Sequence, residues 1–340
     1  MSERKPVAFG DLRNWIKALD DAGELREIKA LVDWNIELGT IVRLAQGPGT
    51  GPALLFSNIK DYNTADSLCR RVFAGALSSY RRIAMMLGLP PDTHPRELVK
   101  IGRNILTGSV PPKIVSTGPV KENIIKGDDV DLYKFPTPYW NRLDGGRYIL
   151  TYGGVVTKDP DTGVMNIGVY RGMVAGRNKI PILMWRAQHI GHHVTAWQSK
   201  GESRMPIAVS IGWEPSLDFV AGSPVPKGVC EYDVVGAIRG APVELVKCET
   251  VDLYVPAAAE IVIEGYLDLD PATYVMEGPF AEFTGYVAGD KSPKPTIHVT
   301  AITHRNDPIL RGCIEGGLPG SYSENTVCSS IMRAATAWNV

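Results

Sequence analysis

RYILTYGGVVT (residues 147–157) and MNIGVYRGMV (165–174) alternate side chains with period two and are rich in β-branched and aromatic residues. That is the pattern of half-buried strands. Outward from this pair the same texture recurs between Gly/Pro turns, in KIPILMWR (179–186), PIAVSIGW (206–213), EIVIEGYLDL (260–269) and TIHVTAITH (296–304). Many short strands at this spacing predict a barrel or sandwich rather than a doubly wound parallel sheet. VVGAIRG (234–240) and DLYVPAAAE (252–260) leave room for one or two helices among them. The first hundred residues differ in mixing helices with strands. Asp11 stands as an N-cap before Leu12, Trp15, Ile16 and Leu19 at helical spacing, and Gly23 is the stop. A second helix is expected over 35–46, a buried strand over 52–59, and a helix over 78–87 ahead of the proline-rich LPPDTHP hinge. Gly47-Pro-Gly-Thr-Gly51 lacks the lysine and spacing of a phosphate loop and reads as a connector. From Gly312 a Gly-rich loop leads into SSIMRAATAWNV, a helix that stops at Val340 with no cap, as though the chain were cut.

The chain has 340 residues, 36 basic against 37 acidic, and 44% hydrophobic residues. This length supports two or three lobes and a large core. The balanced charge carries no electrostatic footprint for nucleic acid. Five widely separated cysteines without a CxxC pair argue against a disulfide framework. No run approaches the roughly 18 apolar residues of a membrane span, and MSERKPVAFG has no apolar leader. The expected location is the cytoplasm. Glycine and proline together make about 18% of the chain, against roughly 12% on average, so turns are many.

Four constellations carry chemistry, each beside a plainer reading. Glu277 and Glu282 in EGPFAE would lie about 17 Å apart on opposite faces of a straight strand. A turn at Gly278-Pro279 lets them converge, with an acid between Phe280 and Phe283 kept protonated by apolar surroundings. By spacing alone, two solvated loop glutamates are the commoner case. Arg171 inside an apolar strand calls for a buried anion, either an internal glutamate or a ligand carboxylate or phosphate. Asn166 shares a face with Arg171 only if Gly168 kinks the strand. QHIGHH (188–193) suggests zinc, yet it lacks the HExxH glutamate, and exposed histidines at a helix start are the commoner case. Asn, His and Glu together would suit Mn²⁺ or Mg²⁺ completed by phosphate oxygens. CIEGGLPGSYSE (313–324) is either a ligand-holding loop or a bare connector.

Taken jointly, RYILTYGG, NIGVYRGMV, QHIGHH, the 42-residue run from Pro224 to Gly265, and EGPFAEFTGY resemble the UbiD family of decarboxylases, which use a prenylated flavin (prenyl-FMN). The resemblance runs over essentially the whole chain. It implies an α+β fold: an N-terminal α/β lobe (1–115), a central split β-barrel related to flavin reductases that binds prenyl-FMN (116–310), and a linker with only the beginning of a C-terminal α/β lobe (311–340). It implies that Asn166, His189 and Glu231 bind Mn²⁺ or Mg²⁺, which grips the flavin phosphate, with K⁺ close by. The catalytic Glu–Arg–Glu trio falls on Glu277, Arg171 and Glu282. Thr151, Gly168, Val169, Tyr170, Arg171, Gln188, His189, and Gly222 and Ser223 in the turn Ala221-Gly-Ser-Pro224 match flavin-contacting stretches. That turn departs from the Ser-Ser-Met-Pro form of some members. Family members run longer than this chain, so the missing part would hold one wall of the site and most of an interface between identical subunits.

The implied reaction is reversible, non-oxidative loss of CO₂ from an aromatic acid through a covalent prenyl-FMN adduct. Arg171 clamps the carboxylate and Glu282 returns a proton. The loop RGCIEGGLPGSYSEN (311–325) looks most like the branch acting on phenolic acids such as protocatechuate, vanillate or 4-hydroxybenzoate. A flavin prenyltransferase would supply the cofactor. An FMN-binding, reductase-like domain and a catalytically inert fragment are the alternatives.

Overall fold

The structure is a computed structural model that describes residues 4–47, 49–105, 107–316 and 323–338. The first helix, Leu12–Asp21, begins where Asp11 accepts a hydrogen bond from the Asn14 amide (2.8 Å), and it buries Leu12, Trp15, Ile16 and Leu19. The helices Glu37–Gln46 and Tyr80–Met86 and the strand Ala53–Phe56 lie inside the expected ranges. That strand pairs parallel with Leu25–Ile28 and antiparallel with Arg71–Ala74. The fourth strand of this sheet comes from far along the chain: Ile309–Arg311 runs parallel to Arg71–Ala74. It straddles the division expected at residue 310. The helix Glu324–Trp338 follows it and packs on the helix Pro95–Ile105. The end of the described chain is thereby bound into the N-terminal lobe.

The central sheet has seven strands. Its path runs from Lys179–Pro181 through Thr296–His304, Ile261–Asp268, Arg204–Ile211 and Gly154–Lys158 to Met165–Gly168, and every pairing on it is antiparallel. Asn123–Lys126 adds to the far half of Thr296–His304. No ladder among the described residues joins the two ends, so the sheet is open where a barrel was expected. The helix His189–Ser199 packs across Gly154–Lys158, Met165–Gly168 and Arg204–Ile211. The strand Ile261–Asp268, flanked in the sheet by Thr296–His304 and Arg204–Ile211, is buried at every position except Tyr266. Glu264 lies on its inner side, fully buried, and accepts the backbone amides of Glu249 (2.7 Å) and Thr250 (2.8 Å). Those bonds meet the requirement that a buried charge be hydrogen-bonded.

Several elements differ from the sequence reading. DLYVPAAAE holds no helix; Tyr254–Pro256 is a strand paired with Glu244–Lys247, which in turn pairs with Lys113–Ile114. The helix Pro95–Ile105 starts on the last proline of the LPPDTHP hinge, and Pro215–Ala221 also starts on a proline. Proline is well suited to a first helical turn, because its missing N–H has no intrahelical partner there. Both long strands around residue 160 are interrupted: Tyr148–Leu150 stops before Gly154–Lys158, and Met165–Gly168 stops before Gly172–Met173. These breaks shape the site. No helix among the described residues is long and apolar enough to cross a membrane.

Candidate active site

Residues 169–171 leave the ladder after Gly168, and the chain rejoins a sheet only where Gly172–Met173 meets Tyr148–Leu150. A Cβ on Gly168 would sit 2.6 Å from the Tyr170 ring, so glycine is what lets the ring fold back there. This break brings Asn166 and Arg171 to one cleft, which straight alternation would forbid. Two adjoining cavities form the cleft. One, of about 560 Å³, includes Thr151, Arg171, Phe280, Glu282 and Glu315 in its lining. The other, of about 460 Å³, is lined by Asn166, His189, Glu231 and the turn 221–224. Val169, Tyr170, Gln188, Phe283 and Asn325 belong to both.

At the first end, Arg171 donates from Nε to Glu277 Oε1 (2.9 Å) and from Nη2 to Oε2 (3.0 Å), a bidentate pair. Its Nη1 donates to Glu282 Oε1. The two glutamates thus converge on one guanidinium rather than standing in solvent. Gly278, at φ +91°, makes the turn between them. Glu277 is wholly buried and accepts a further bond from the Tyr148 hydroxyl (2.6 Å). Glu282 is about one-fifth exposed. Burial raises its pKa above the usual carboxylate range, while Arg171 pulls the other way and Glu277 adds to the rise. Arg171 also lies 5.2 Å over the Phe280 ring. Asp144, pushed up to about 6 by burial, accepts the Ala281 amide (2.9 Å) and so pins the same turn.

At the second end, His189 Nδ1 lies 2.8 Å from Asn166 Oδ1 and 4.0 Å from Glu231 Oε1. Glu231 opens the helix Glu231–Arg239 and accepts the Ile167 amide (2.7 Å). Burial pushes its pKa up to about 7. The Asn166 side-chain nitrogen is buried without a hydrogen-bond partner. The zinc reading of QHIGHH gains no support. His193 is buried, not exposed, with its ring 2.9 Å from the Thr157 hydroxyl. Among the described residues no three His, Cys, Asp or Glu side chains gather as a metal site. Asn166, His189 and Glu231 form a mixed set that includes an amide.

The flavin-matching residues line the cleft with different freedom. The Thr151 hydroxyl accepts the Cys313 amide (2.9 Å). Gln188 precedes the helix His189–Ser199 and accepts the Trp185 amide (2.7 Å). Ser223 beside Gly222 donates to Phe219 O (2.5 Å), so its hydroxyl proton is already committed. Sequence reasoning did not single out Tyr148, Asp144 or Glu315. Tyr148 lay inside a quoted strand, but no local spacing marks a residue whose partner is 129 positions away. Residues 317–322 of the Gly-rich loop lie outside the described residues.

The profile of the UbiD Rift-related domain, described for 3-octaprenyl-4-hydroxybenzoate carboxy-lyase, matches residues 113–318. The corresponding N-terminal domain matches 16–101. Pyrrole-2-carboxylic acid decarboxylase of Pseudomonas aeruginosa is 37% identical over 318 residues, which cover 91% of this chain and 62% of that protein. The UbiD-class enzyme HmfF of Pelotomaculum thermopropionicum, solved as an evolved dimeric form with prFMN, superposes with a TM-score of 0.85 at 32% identity over 97% of this chain and 72% of that one. The vanillic acid decarboxylase of Sedimentibacter hydroxybenzoicus in closed form gives 0.86 at 31% identity, over 94% and 67%. The chain spans less than two thirds of the length of the Pseudomonas protein. With both profiles matched in order and the Glu–Arg–Glu trio assembled on one cleft, this chain belongs to the UbiD family.

Proposed function

We propose that the chain is the cofactor- and substrate-binding part of a decarboxylase that releases CO₂, reversibly and without net oxidation, from an aromatic acid of the phenolic class. The observation that carries this reading is Arg171 held between Glu277 and Glu282 on the wall of the larger cavity, beside the cleft of Asn166, His189 and Glu231. Relatives named for pyrrole-2-carboxylic and vanillic acids support the aromatic class.

The residues present fit prenylated FMN and a divalent cation. The unpartnered Asn166 amide and the buried Glu231 carboxyl leave polar groups for a ligand to meet. Oxygen donors with one imidazole suit Mn²⁺ or Mg²⁺, with K⁺ nearby. The bound flavin supplies the electron sink that side chains lack for the pair left in the plane of the ring. Thr151, the backbone of 168–170 and Gln188 face the cavity that would hold it, with Gly222 and Ser223 at the phosphate end.

Arg171 has five N–H groups, of which three contact the two glutamates, so two are left for a substrate carboxylate. Glu277 and Tyr148 fix the guanidinium plane. An arriving carboxylate competes with Glu282 for Arg171. Glu282 then loses the contact that lowers its pKa, and it takes up the proton it later delivers to the ring carbon.

The test is CO₂ release from protocatechuate, vanillate, gallate and 4-hydroxybenzoate by protein co-expressed with a flavin prenyltransferase, with the flavin spectrum recorded. Release with a prenyl-FMN spectrum is expected. Ordinary FMN without release points to a reductase-like binder, and absence of flavin to an inert piece; either sinks the proposal. Glu231→Gln should lower bound Mn²⁺ and co-purified flavin at least about tenfold, as metal content and absorbance will report. Unchanged occupancy of both removes Glu231 from the metal set. The assembly is proposed to be a homo-oligomer, for which light scattering is the check.

A further inference from the structure

Glu315 takes no part in the reaction outlined above, yet it lines the same cavity as Arg171 and Glu282 and is 4% exposed. The Cys313 thiol donates to its Oε1 (3.3 Å), and its Oε2 lies 3.1 Å from the Ser323 hydroxyl. Ser323 lies 2.9 Å from the Thr326 hydroxyl and also accepts the Thr326 amide (3.2 Å). Thr326 donates to the carbonyl of Phe283, the residue after Glu282 (3.1 Å). We infer that Glu315 is a positioning residue, an acid that holds the Glu282 segment in place through the relay Ser323–Thr326–Phe283.

Counting protons gives the relay two states. Thr326 has one hydroxyl proton, used on Phe283, and Ser323 has one to give. When Ser323 donates to Thr326, its contact with Glu315 requires a proton on Glu315. When Glu315 is ionised, Ser323 must turn its proton to the carboxylate, and the contact with Thr326 loses its donor. Burial favours the first state. Burial pushes its pKa up to about 8, opposed by Cys313 and Ser323 and assisted by Glu324 and Glu282. Arg43 donates to the Glu315 carbonyl (3.1 Å) and to Gly316 O. Arg171 stands across the cavity, engaged with its own glutamates. A neutral Glu315 also leaves the cavity open to an anionic substrate, whereas an ionised one repels it.

This inference rests on the proposed decarboxylation for its kinetic test but has a second reading without it. In the infrared difference between wild type and Glu315→Gln at pH 7, a protonated-carboxyl stretch is expected that fades as pH rises through about 8. Its absence overturns the neutral state and with it the relay. In the flavin-loaded enzyme, KM for an aromatic acid should rise above pH about 8 in wild type, and Glu315→Gln should remove that rise. Glu315→Leu and Ser323→Ala should lower kcat on the order of 10- to 100-fold, the cost of a displaced catalytic group. Wild-type kcat in Glu315→Leu overturns the positioning role. If wild type itself releases no CO₂, the proposed function fails, and the infrared band still decides the relay.

Discussion

Glu282→Gln is expected to abolish turnover while flavin stays bound. The substitution keeps the shape and leaves Oε1 to accept from Arg171, but it removes the carboxyl proton. General acid catalysis contributes on the order of 10²–10⁴-fold, so kcat should fall at least that far. The flavin is retained because Asn166, His189 and Glu231 line the adjoining cavity, where Glu282 is absent. Burial raises the Glu282 pKa, so the wild type holds its proton below that value, and the rate should fall as pH rises through it. Deuterium incorporation from D₂O is the decisive measurement, because it reports proton delivery at the ring carbon apart from CO₂ release. Exchange at the wild-type rate in the flavin-loaded variant would assign the proton to another group.

Arg311→Met should destabilise the fold by about 3–5 kcal/mol, the range for stranding buried charges. Arg311 is 1% exposed and joins two carboxylates: Nη2 donates to Glu324 (2.8 Å) and Nε lies 3.2 Å from Asp218. Glu324 also accepts the amides of Gly75 (3.0 Å) and Leu77 (2.5 Å). One guanidinium therefore ties together the last helix, the N-terminal sheet and the helix Pro215–Ala221. Burial already pushes Asp218 up to about 7 against the pull of Arg311, and removing the cation raises it further. A carboxyl raised in the folded state keeps its full stability below the unfolded pKa of roughly 4 and loses it as pH climbs through the folded value. The deficit should therefore be small near pH 4 and largest above pH 7. Denaturant midpoints across that range check it; an unchanged midpoint at pH 8 would contradict the account.

Much of the fold was legible. The Asp11 cap and the apolar spacing after it placed the first helix, and period-two alternation located most central strands. The resemblance then brought Asn166, His189 and Glu231 together, as it did Arg171, Glu277 and Glu282, and the structure gathers both sets on one cleft. Illegible features share a cause. DLYVPAAAE became a strand because Glu244–Lys247 was there to pair with it, and Glu264 went inside a strand because two backbone amides met it. Strand spacing left barrel and sandwich open, and the sheet is open among the described residues, since strand count does not decide whether edges meet.

Local pattern in the sequence determined the elements, because caps, turns and alternation act over a few residues. It also marked Gly168 as the place for a kink. Tertiary structure alone decided which charges share a cavity. Arg171 and Glu277 are 106 positions apart, Thr326 and Phe283 are 43 apart, and Ile309–Arg311 crosses the chain to join Arg71–Ala74. Such meetings depend on the packing of whole sheets and helices, and the upward pKa shifts of Glu282 and Glu315 follow from the burial that this packing imposes.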